Sequence, residues 1–206
     1  KIAAAGGADL NARDEYGRTA LMHAINTRNA DAVEFLIKNG ADINLVDSSG
    51  AGALIYAVRN WFYDIARMLI AAGADISIKD GRRKTAMDYA MDKNYNTIIE
   101  MLVDAGAGAD YRSACGNTLL CWAVAAKNCA LARYLISRGA SVELADEKGF
   151  SPLMRAAETG HLETVKLLVE SGADIRRRGP RGETAADIAA KNKRIKITAY
   201  LLEISR

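Results

Sequence analysis

The segment KNGADINLVDSSG at residues 38–50 contains a five-residue motif, GADIN, that recurs along the chain. Related motifs are GADLN at 7–11, GADIS at 73–77, GAGAD at 106–110, GASVE at 139–143 and GADIR at 172–176. The glycines that open these motifs follow one another every 33 residues: Gly7, Gly40, Gly73, Gly106, Gly139 and Gly172. A fixed period of this length indicates a repeat architecture. We therefore expect one elongated array over residues 1–206 without an internal domain boundary.

Composition limits the classes of protein that remain. Half of the 206 residues are hydrophobic, the net charge is +3, and no apolar run is long enough to cross a membrane. This mild charge does not by itself indicate nucleic-acid binding. The three cysteines, Cys115, Cys121 and Cys129, lack CxxC spacing, and we expect free thiols in a reducing compartment, hence a cytoplasmic protein. Because the sequence begins at Lys1 and not at a methionine, no conclusion about a signal peptide can be drawn from it.

The first helix of each repeat is visible in residues 14–46. Asp14 to Gly17 is typical of a turn in which an acid binds its own backbone. Thr19 suits a helix N-cap, because its hydroxyl can accept from an unpaired backbone N–H. The apolar residues that follow share one helical face: Leu21, Ala24 and Ile25.

A second, more apolar helix is predicted from Ala30 to Asn39, and Gly40 ends it because glycine adopts a positive φ without a Cβ clash. The capping position of Thr19 recurs every 33 residues as Gly52, Thr85, Thr118, Ser151 and Thr184. The position of Leu21 recurs as Leu54, Met87, Leu120, Leu153 and Ala186. Neither helix can bury its apolar face alone, so neighbouring units must stack.

Two stretches carry a family resemblance: DEYGRTALMHA at 14–24 and DEKGFSPLMRAAETGHLETVKLLVESGADI at 146–175. They resemble ankyrin repeats, most closely at residues 146–178. The resemblance implies an all-α repeat solenoid, an array of stacked helix-turn-helix units with extended finger loops. The units are a partial repeat at 1–13, full repeats at 14–46, 47–79, 80–112, 113–145 and 146–178, and a C-terminal capping repeat at 179–206. We expect the exposed side of that cap to be polar, supplied by Lys191, Lys193, Arg194 and Lys196.

Catalytic and metal-binding patterns are not found in the sequence. The two histidines, His23 and His161, lie in separate repeats, and no HExxH, GxSxG or P-loop pattern occurs. Asp88 and Asp92 are four residues apart and could hold a metal, but a solvated helix face is the preferred interpretation. We therefore expect no enzyme activity, no cofactor, no metal and no small-molecule substrate.

One set of variable positions lies two residues after the leucine position of each first helix. It contains His23, Tyr56, Tyr89, Trp122, Arg155 and Ile188. A helix turns by about 200° over two residues, so these side chains should point away from the core toward the concave side. They are either a ladder of partner-binding residues, anchored by Tyr56, Tyr89 and Trp122, or rings that only cover neighbouring helices.

Two further groups are candidate contacts. Trp61 and Phe62 fall in an inter-helix loop where polar residues and glycine are expected, so they either contact a partner or fold back into the protein. Basic residues cluster at two predicted finger tips: Lys79, Arg82, Arg83 and Lys84 in one, and Arg176, Arg177, Arg178 and Arg181 in the other. Such tips are often only solubilising, and if they bind, the partner is acidic.

The leading hypothesis is a non-catalytic protein–protein interaction module that uses its concave face and finger tips. The alternative is a targeting or regulatory segment of a larger protein, whether or not that protein is an enzyme. Direct nucleic-acid binding is the third hypothesis, but base-stacking aromatics are missing beside the finger arginines. The partner-binding residues predicted on this basis are Tyr56, Tyr89, Trp122, His23, Arg155, Trp61, Phe62, Arg82, Lys84, Arg178 and Arg181.

Overall fold

A computed structural model describes residues 9–205, so the motif glycine Gly7 lies outside the described residues. This part of the chain contains twelve α-helices in six pairs and no β-strand, only the isolated bridges Val46–Gly52 and Arg112–Thr118. The described chain divides after Ala107 into two compact units, residues 9–107 and residues 108–205. No helix within residues 9–205 is long and apolar enough to span a bilayer.

The first unit contains three helix pairs. Its helices are α1 (Ala20–Asn26), α2 (Ala30–Lys38), α3 (Ala53–Arg59), α4 (Tyr63–Ala71), α5 (Ala86–Asp92) and α6 (Asn96–Leu102). The first helices of successive pairs pack together in the order α1, α3, α5, and the second helices pack in the order α2, α4, α6. A further turn, Val103–Ala107, follows α6 and contains Gly106 in a non-helical conformation.

The second unit repeats this arrangement. Its helices are α7 (Leu119–Ala125), α8 (Cys129–Ser137), α9 (Pro152–Thr159), α10 (Leu162–Glu170), α11 (Ala185–Lys191) and α12 (Ile195–Ile204). Helices α7, α9 and α11 pack in order, as do α8, α10 and α12. The predicted all-α repeat fold is confirmed, whereas the prediction that residues 1–206 form one array stays a prediction.

The predicted caps and stops are present. Each capping hydroxyl accepts from the backbone N–H three residues later, at Thr19, Thr85, Thr118, Ser151 and Thr184. Gly52 has no side chain and makes no such bond. The five motif glycines in the described chain all have positive φ: Gly40, Gly73, Gly106, Gly139 and Gly172, with values from 85° to 102°.

The other letters of the GADIN motif hold successive fingers together. The aspartate binds the backbone N–H two residues later, as Asp42 Oδ1 does with Asn44 N at 2.8 Å. The last residue reaches the next motif: Asn44 Oδ1 accepts from Asp75 N at 2.8 Å. In the second unit, Glu143 Oε1 accepts from Asp174 N at 2.7 Å in the same way. Four of the motif copies each accept one such hydrogen bond from the next copy, through Asn11, Asn44, Asp110 and Glu143.

One expectation about exposure is wrong, and another holds only in part, since Lys191, Lys193, Arg194 and Lys196 are exposed as expected. Asp88 is buried, because it is the third residue of α5 and completes a capping box with Thr85. The last repeat is not polar over its whole outer side, since Ile195 is 79% exposed and Leu202 is 51% exposed. Helix α12 uses Ile197 and Leu201 as its buried face, which leaves these two apolar side chains on the opposite one.

Candidate protein-binding surfaces

A hydrogen bond at the base of the finger recurs in several repeats. The finger aspartate accepts from the side chain nine residues later, which lies on the first helix. Asp14 Oδ2 pairs with His23 Nε2 at 2.8 Å, Asp47 Oδ2 accepts from the Tyr56 hydroxyl at 2.5 Å, and Asp80 Oδ2 accepts from the Tyr89 hydroxyl. In the second unit, Asp146 Oδ2 accepts from Arg155 Nε at 2.5 Å. We call these four contacts the finger–helix bonds.

The other carboxylate oxygen of each aspartate holds the finger turn. Asp14 Oδ1 accepts from the backbone N–H groups of Tyr16 at 2.9 Å and Arg18 at 2.8 Å. Asp47 binds Ser49 and Ala51 in the same pattern. One aspartate thereby fixes both the turn and the side chain on the first helix. The sequence prediction included the turn but missed the helix contact.

These bonds shift the ionisation of their partners. Partial burial acts to raise the pKa of Asp14, but hydrogen bonds from the Arg18 backbone and the His23 side chain outweigh it and lower the pKa to about 2. Burial together with the bond to Asp47 raises the pKa of Tyr56 to about 12. Burial and the bond to Asp80 raise the pKa of Tyr89. Both phenols therefore stay protonated donors at neutral pH.

The predicted ladder is only partly exposed. Tyr56, Tyr89, Trp122 and Arg155 are half-buried, His23 is exposed, and Ile188 is 5% exposed and belongs to the core. The Tyr89 ring is flanked by cations, with the Arg59 guanidinium 5.5 Å and the Lys84 ammonium 5.6 Å from its centroid. The two tyrosines lie in the first unit, and Trp122 lies in the second. Their use as partner anchors stays a prediction.

Trp61 lies in an unusual backbone conformation. Its φ is +57°, and the ring is 65% exposed. The ring stacks on Tyr95 of the next repeat, with centroids 5.9 Å apart and an interplanar angle of 25°. A cavity of about 300 Å³ adjoins this pair and is lined by Trp61, Asn94, Tyr95, Asn96, Thr97 and Ile98. We call Trp61 and Tyr95 the aromatic patch.

Phe62, the neighbour of Trp61 in the chain, is half-buried. The Arg28 guanidinium lies over its ring, 5.4 Å from the centroid.

The same left-handed position recurs between the helices of every pair. It is occupied by Arg28, Trp61, Asn94, Lys127, Gly160 and Lys193, all with positive φ. Glycine, the residue that usually indicates a positive φ, occurs at only one of the six positions. The residue types therefore did not predict the left-handed conformation. The 33-residue spacing of the six residues is the signal that could have identified it.

The finger-tip cations are not equivalent. Arg82, Arg178 and Arg181 are exposed. Lys84 is drawn to the first helix, because its Nζ lies 2.5 Å from Asp92 Oδ2. Arg177 is likewise held by Glu143, with Nη1 2.7 Å from Oε2. The available tip charges are therefore fewer than the sequence clusters indicated.

Reactive groups are few in the described chain. Residues 9–205 contain no group of three or more His, Cys, Asp or Glu side chains that could hold a metal ion. All three cysteines are free thiols, as the sequence predicted. Burial raises the pKa of Cys121 to about 11, so this thiol stays protonated.

Stacked helix pairs with hydrogen-bonded finger loops define this chain as a helical repeat protein. The family model for ankyrin repeats (3 copies) matches residues 1–80, 86–179 and 120–205, so the chain belongs to the ankyrin repeat family. Ankyrin repeats are generally protein–protein interaction modules, and their fold is typically non-catalytic.

Solved structures agree with the family assignment. An ankyrin repeat domain from Acinetobacter baumannii AYE is 27% identical, with a TM-score of 0.81 over 92% of this chain and 97% of that one. The ankyrin repeat protein EF0377 is also 27% identical, with a TM-score of 0.77 over 89% of this chain and 96% of that one. No curated protein matches the chain.

Proposed function

We propose that this chain is a non-catalytic protein-interaction module that binds a partner protein with an acidic segment. The observation that carries the proposal is the aromatic patch, in which Trp61 is both exposed and left-handed. A left-handed conformation costs a non-glycine residue about 1–2 kcal/mol. The left-handed conformation is shared by all six repeats, so the feature that distinguishes this loop is the exposed ring, and large exposed apolar groups often mark contacts.

The equivalent positions of other repeats strengthen this argument. Arg28, Asn94, Lys127 and Lys193 place flexible polar side chains in the same conformation, and Gly160 has none. The repeat fold therefore does not need an aromatic ring there. The ring in the second helix pair is better explained by an intermolecular contact than by the stability of the loop.

The surroundings of the patch indicate the kind of partner. The adjoining cavity of about 300 Å³ has room for an apolar side chain beside the Trp61–Tyr95 pair. The Arg28 guanidinium lies over Phe62, next to Trp61 in the chain. An apolar anchor close to a cation favours a segment that combines an apolar side chain with carboxylates, and Arg82, exposed on a finger of the same unit, is a separate candidate contact.

The first-helix rings are proposed as additional contacts within their own units. The finger–helix bonds hold Tyr56 and Tyr89 in one orientation, so a partner would immobilise little side-chain freedom on contacting them. In the second unit, the half-buried Trp122 and the exposed Arg178 and Arg181 stay predicted contacts.

Quantitative affinity capture tests the proposal. The chain, its Trp61→Asn variant and its Lys127→Asn variant serve as baits in cell extract, and captured proteins are compared by mass spectrometry. Asparagine occurs naturally at the equivalent Asn94, so both variants should fold. We expect at least one protein retained by the wild type and by Lys127→Asn but depleted with Trp61→Asn. Identical protein sets from all three baits would refute the role of the patch.

A further inference from the structure

The last repeat lacks both partners of the finger–helix bond. Gly179 occupies the position of the finger aspartate, and Ile188 occupies the position of the donor. A neighbouring side chain lies near the vacated place: the Glu183 carboxyl carbon is 3.6 Å from where a Cβ on residue 179 would stand. Glu183 therefore brings a carboxylate beside the base of the finger from a different position in the chain.

This carboxylate is incompletely hydrogen-bonded. Glu183 Oε2 is shielded from solvent and accepts no hydrogen bond from any residue in the described part of the chain. Ile188, which is nine residues after Gly179, is apolar and cannot donate. A buried acceptor without a donor destabilises the site, so an external donor that reached it would bind favourably.

A cavity gives access to this part of the repeat. It measures about 340 Å³ and is lined by Phe150, Glu158, Arg181, Glu183, Asp187, Ile188, Lys191 and Asn192. Three of these residues are acidic and two are basic, so the lining has a net negative charge. Two of the carboxylates already have partners: Glu158 Oε2 lies 2.7 Å from Arg155 Nη1, and Asp187 Oδ2 accepts from Thr184 N at 2.8 Å. Glu183 differs from both because its Oε2 is shielded from solvent and has no donor.

The preceding repeat contains an internal template for the missing donor. The Arg155 guanidinium bridges two carboxylates there, with Nε 2.5 Å from Asp146 Oδ2 and Nη1 2.7 Å from Glu158 Oε2. It also lies over the Phe150 ring, 4.5 Å from the centroid. Guanidinium groups suit such sites because their planar fork binds carboxylates in fixed geometry.

We infer that the Glu183 cavity binds the guanidinium group of an arginine side chain from a partner protein. The terminal carboxylate torsion of glutamate is broad, so Oε2 can turn toward the cavity that Glu183 lines. The incoming guanidinium then donates to Glu183 as Arg155 donates to Asp146. This ligand is positively charged, whereas the segment proposed above for the aromatic patch is acidic. The two proposals therefore concern different ligands and can be tested separately.

Chemical-shift titration of the ¹⁵N-labelled chain tests the inference. The probe is Nα-acetyl-arginine N-methylamide, and the matching citrulline derivative is its neutral control. We expect saturable shifts at the amides of Gly179, Glu183 and Ile188 with the arginine probe, and none with the citrulline probe. Free arginine is titrated as a further comparison. If free arginine bound more tightly than the blocked probe, the ligand would not be an arginine side chain of a protein.

Variants connect the binding to Glu183. E183Q should weaken binding about tenfold or more, because it removes the charge that strengthens the hydrogen bond. The control E170Q changes an exposed glutamate of α10 and should leave affinity unchanged. K191Q changes an exposed residue of the lining, so it should fold, and it should tighten binding roughly twofold by removing a repelling charge. Unchanged affinity in E183Q, or weaker binding in K191Q, would overturn the inference.

Discussion

The hydroxyl of Tyr56 donates a hydrogen bond to Asp47 Oδ2 at 2.5 Å, and thereby ties the first helix of one repeat to its own finger. The same aspartate fixes the finger turn through the backbone N–H groups of Ser49 and Ala51. Helix, turn and finger therefore share one carboxylate. Loss of the phenol–carboxylate bond should be measurable in stability and in its pH dependence.

Tyr56→Phe should lower the free energy of unfolding by about 1 kcal/mol at neutral pH, as measured by urea denaturation. The folded pKa of about 12 is raised above the ordinary value of 10.0, so the stabilisation is complete below pH 10 and is lost as pH rises toward 12. The difference between wild type and Tyr56→Phe should therefore vanish over that interval. Tyr16→Phe, at an exposed ring, serves as control. An equal loss in both variants would count against the finger–helix bond.

Acid should remove the contribution of Asp14. Its folded pKa of about 2 lies below the ordinary value of 3.8, so its stabilisation is present above about pH 4 and is lost as pH falls through about 2. Asp14→Asn should be less stable than wild type at neutral pH and equally stable near pH 2, by urea denaturation at each pH. Glu15→Gln, in the same turn, is the control and should show no such convergence. A constant difference across this range would contradict the assignment.

Glycine-to-serine changes at two positions should have opposite effects. Gly52 lies in the capping position with an extended backbone, and a Cβ there would meet Ile78 Cδ1 at 3.3 Å and make ordinary contacts with Ile78 Cγ2 and Leu45 O. Gly52→Ser should therefore raise the unfolding free energy by about 0.5–1 kcal/mol. Gly40→Ser, at φ +85°, should lower it by about 1 kcal/mol. Thermal denaturation measures both changes. A loss of stability in Gly52→Ser as well as in Gly40→Ser would show that a capping hydroxyl does not stabilise this helix.

The 33-residue period predicted the features that depend on local backbone chemistry. Thr19 and its equivalents were identified as caps and Gly40 and its equivalents as helix stops, because each needs only its own few neighbours. Asp88 was misassigned because helical spacing from Asp92 suggested a solvated face. The Thr-x-x-Asp pattern from Thr85 to Asp88 was the better guide.

The finger–helix bonds could not be predicted from local backbone rules, because they join a finger residue to a helix residue. The sequence nevertheless shows a regular spacing between the two partners. Donor side chains follow nine residues after each finger aspartate, whereas Ser113 is followed by Trp122 and Gly179 by Ile188. Comparison of repeats within the chain could therefore have paired these positions. The stacking of Trp61 on Tyr95 joins adjacent repeats and required the structure.

Arg82 should affect how fast a partner binds more than how long it stays. It is exposed on a finger turn of the first unit. Arg82→Glu should slow association about tenfold at low salt and reduce the salt dependence, because rim charges steer encounter more than they hold the complex. Surface plasmon resonance over a salt series, with the partner found by affinity capture, measures this. Arg133→Glu, at an exposed site on α8, is the control, and equal effects of the two changes would indicate only a net-charge effect.

The dissociation constant of the captured partner for Trp61→Asn, measured by calorimetry beside Lys127→Asn, tests the central claim most directly. Loss of an aromatic anchor often costs about 2 kcal/mol or more, so we expect the constant to rise at least about thirtyfold in Trp61→Asn. Lys127→Asn, at the equivalent left-handed position of the second unit, should bind like wild type. Wild-type affinity in a correctly folded Trp61→Asn would contradict the proposal that the aromatic patch binds the partner.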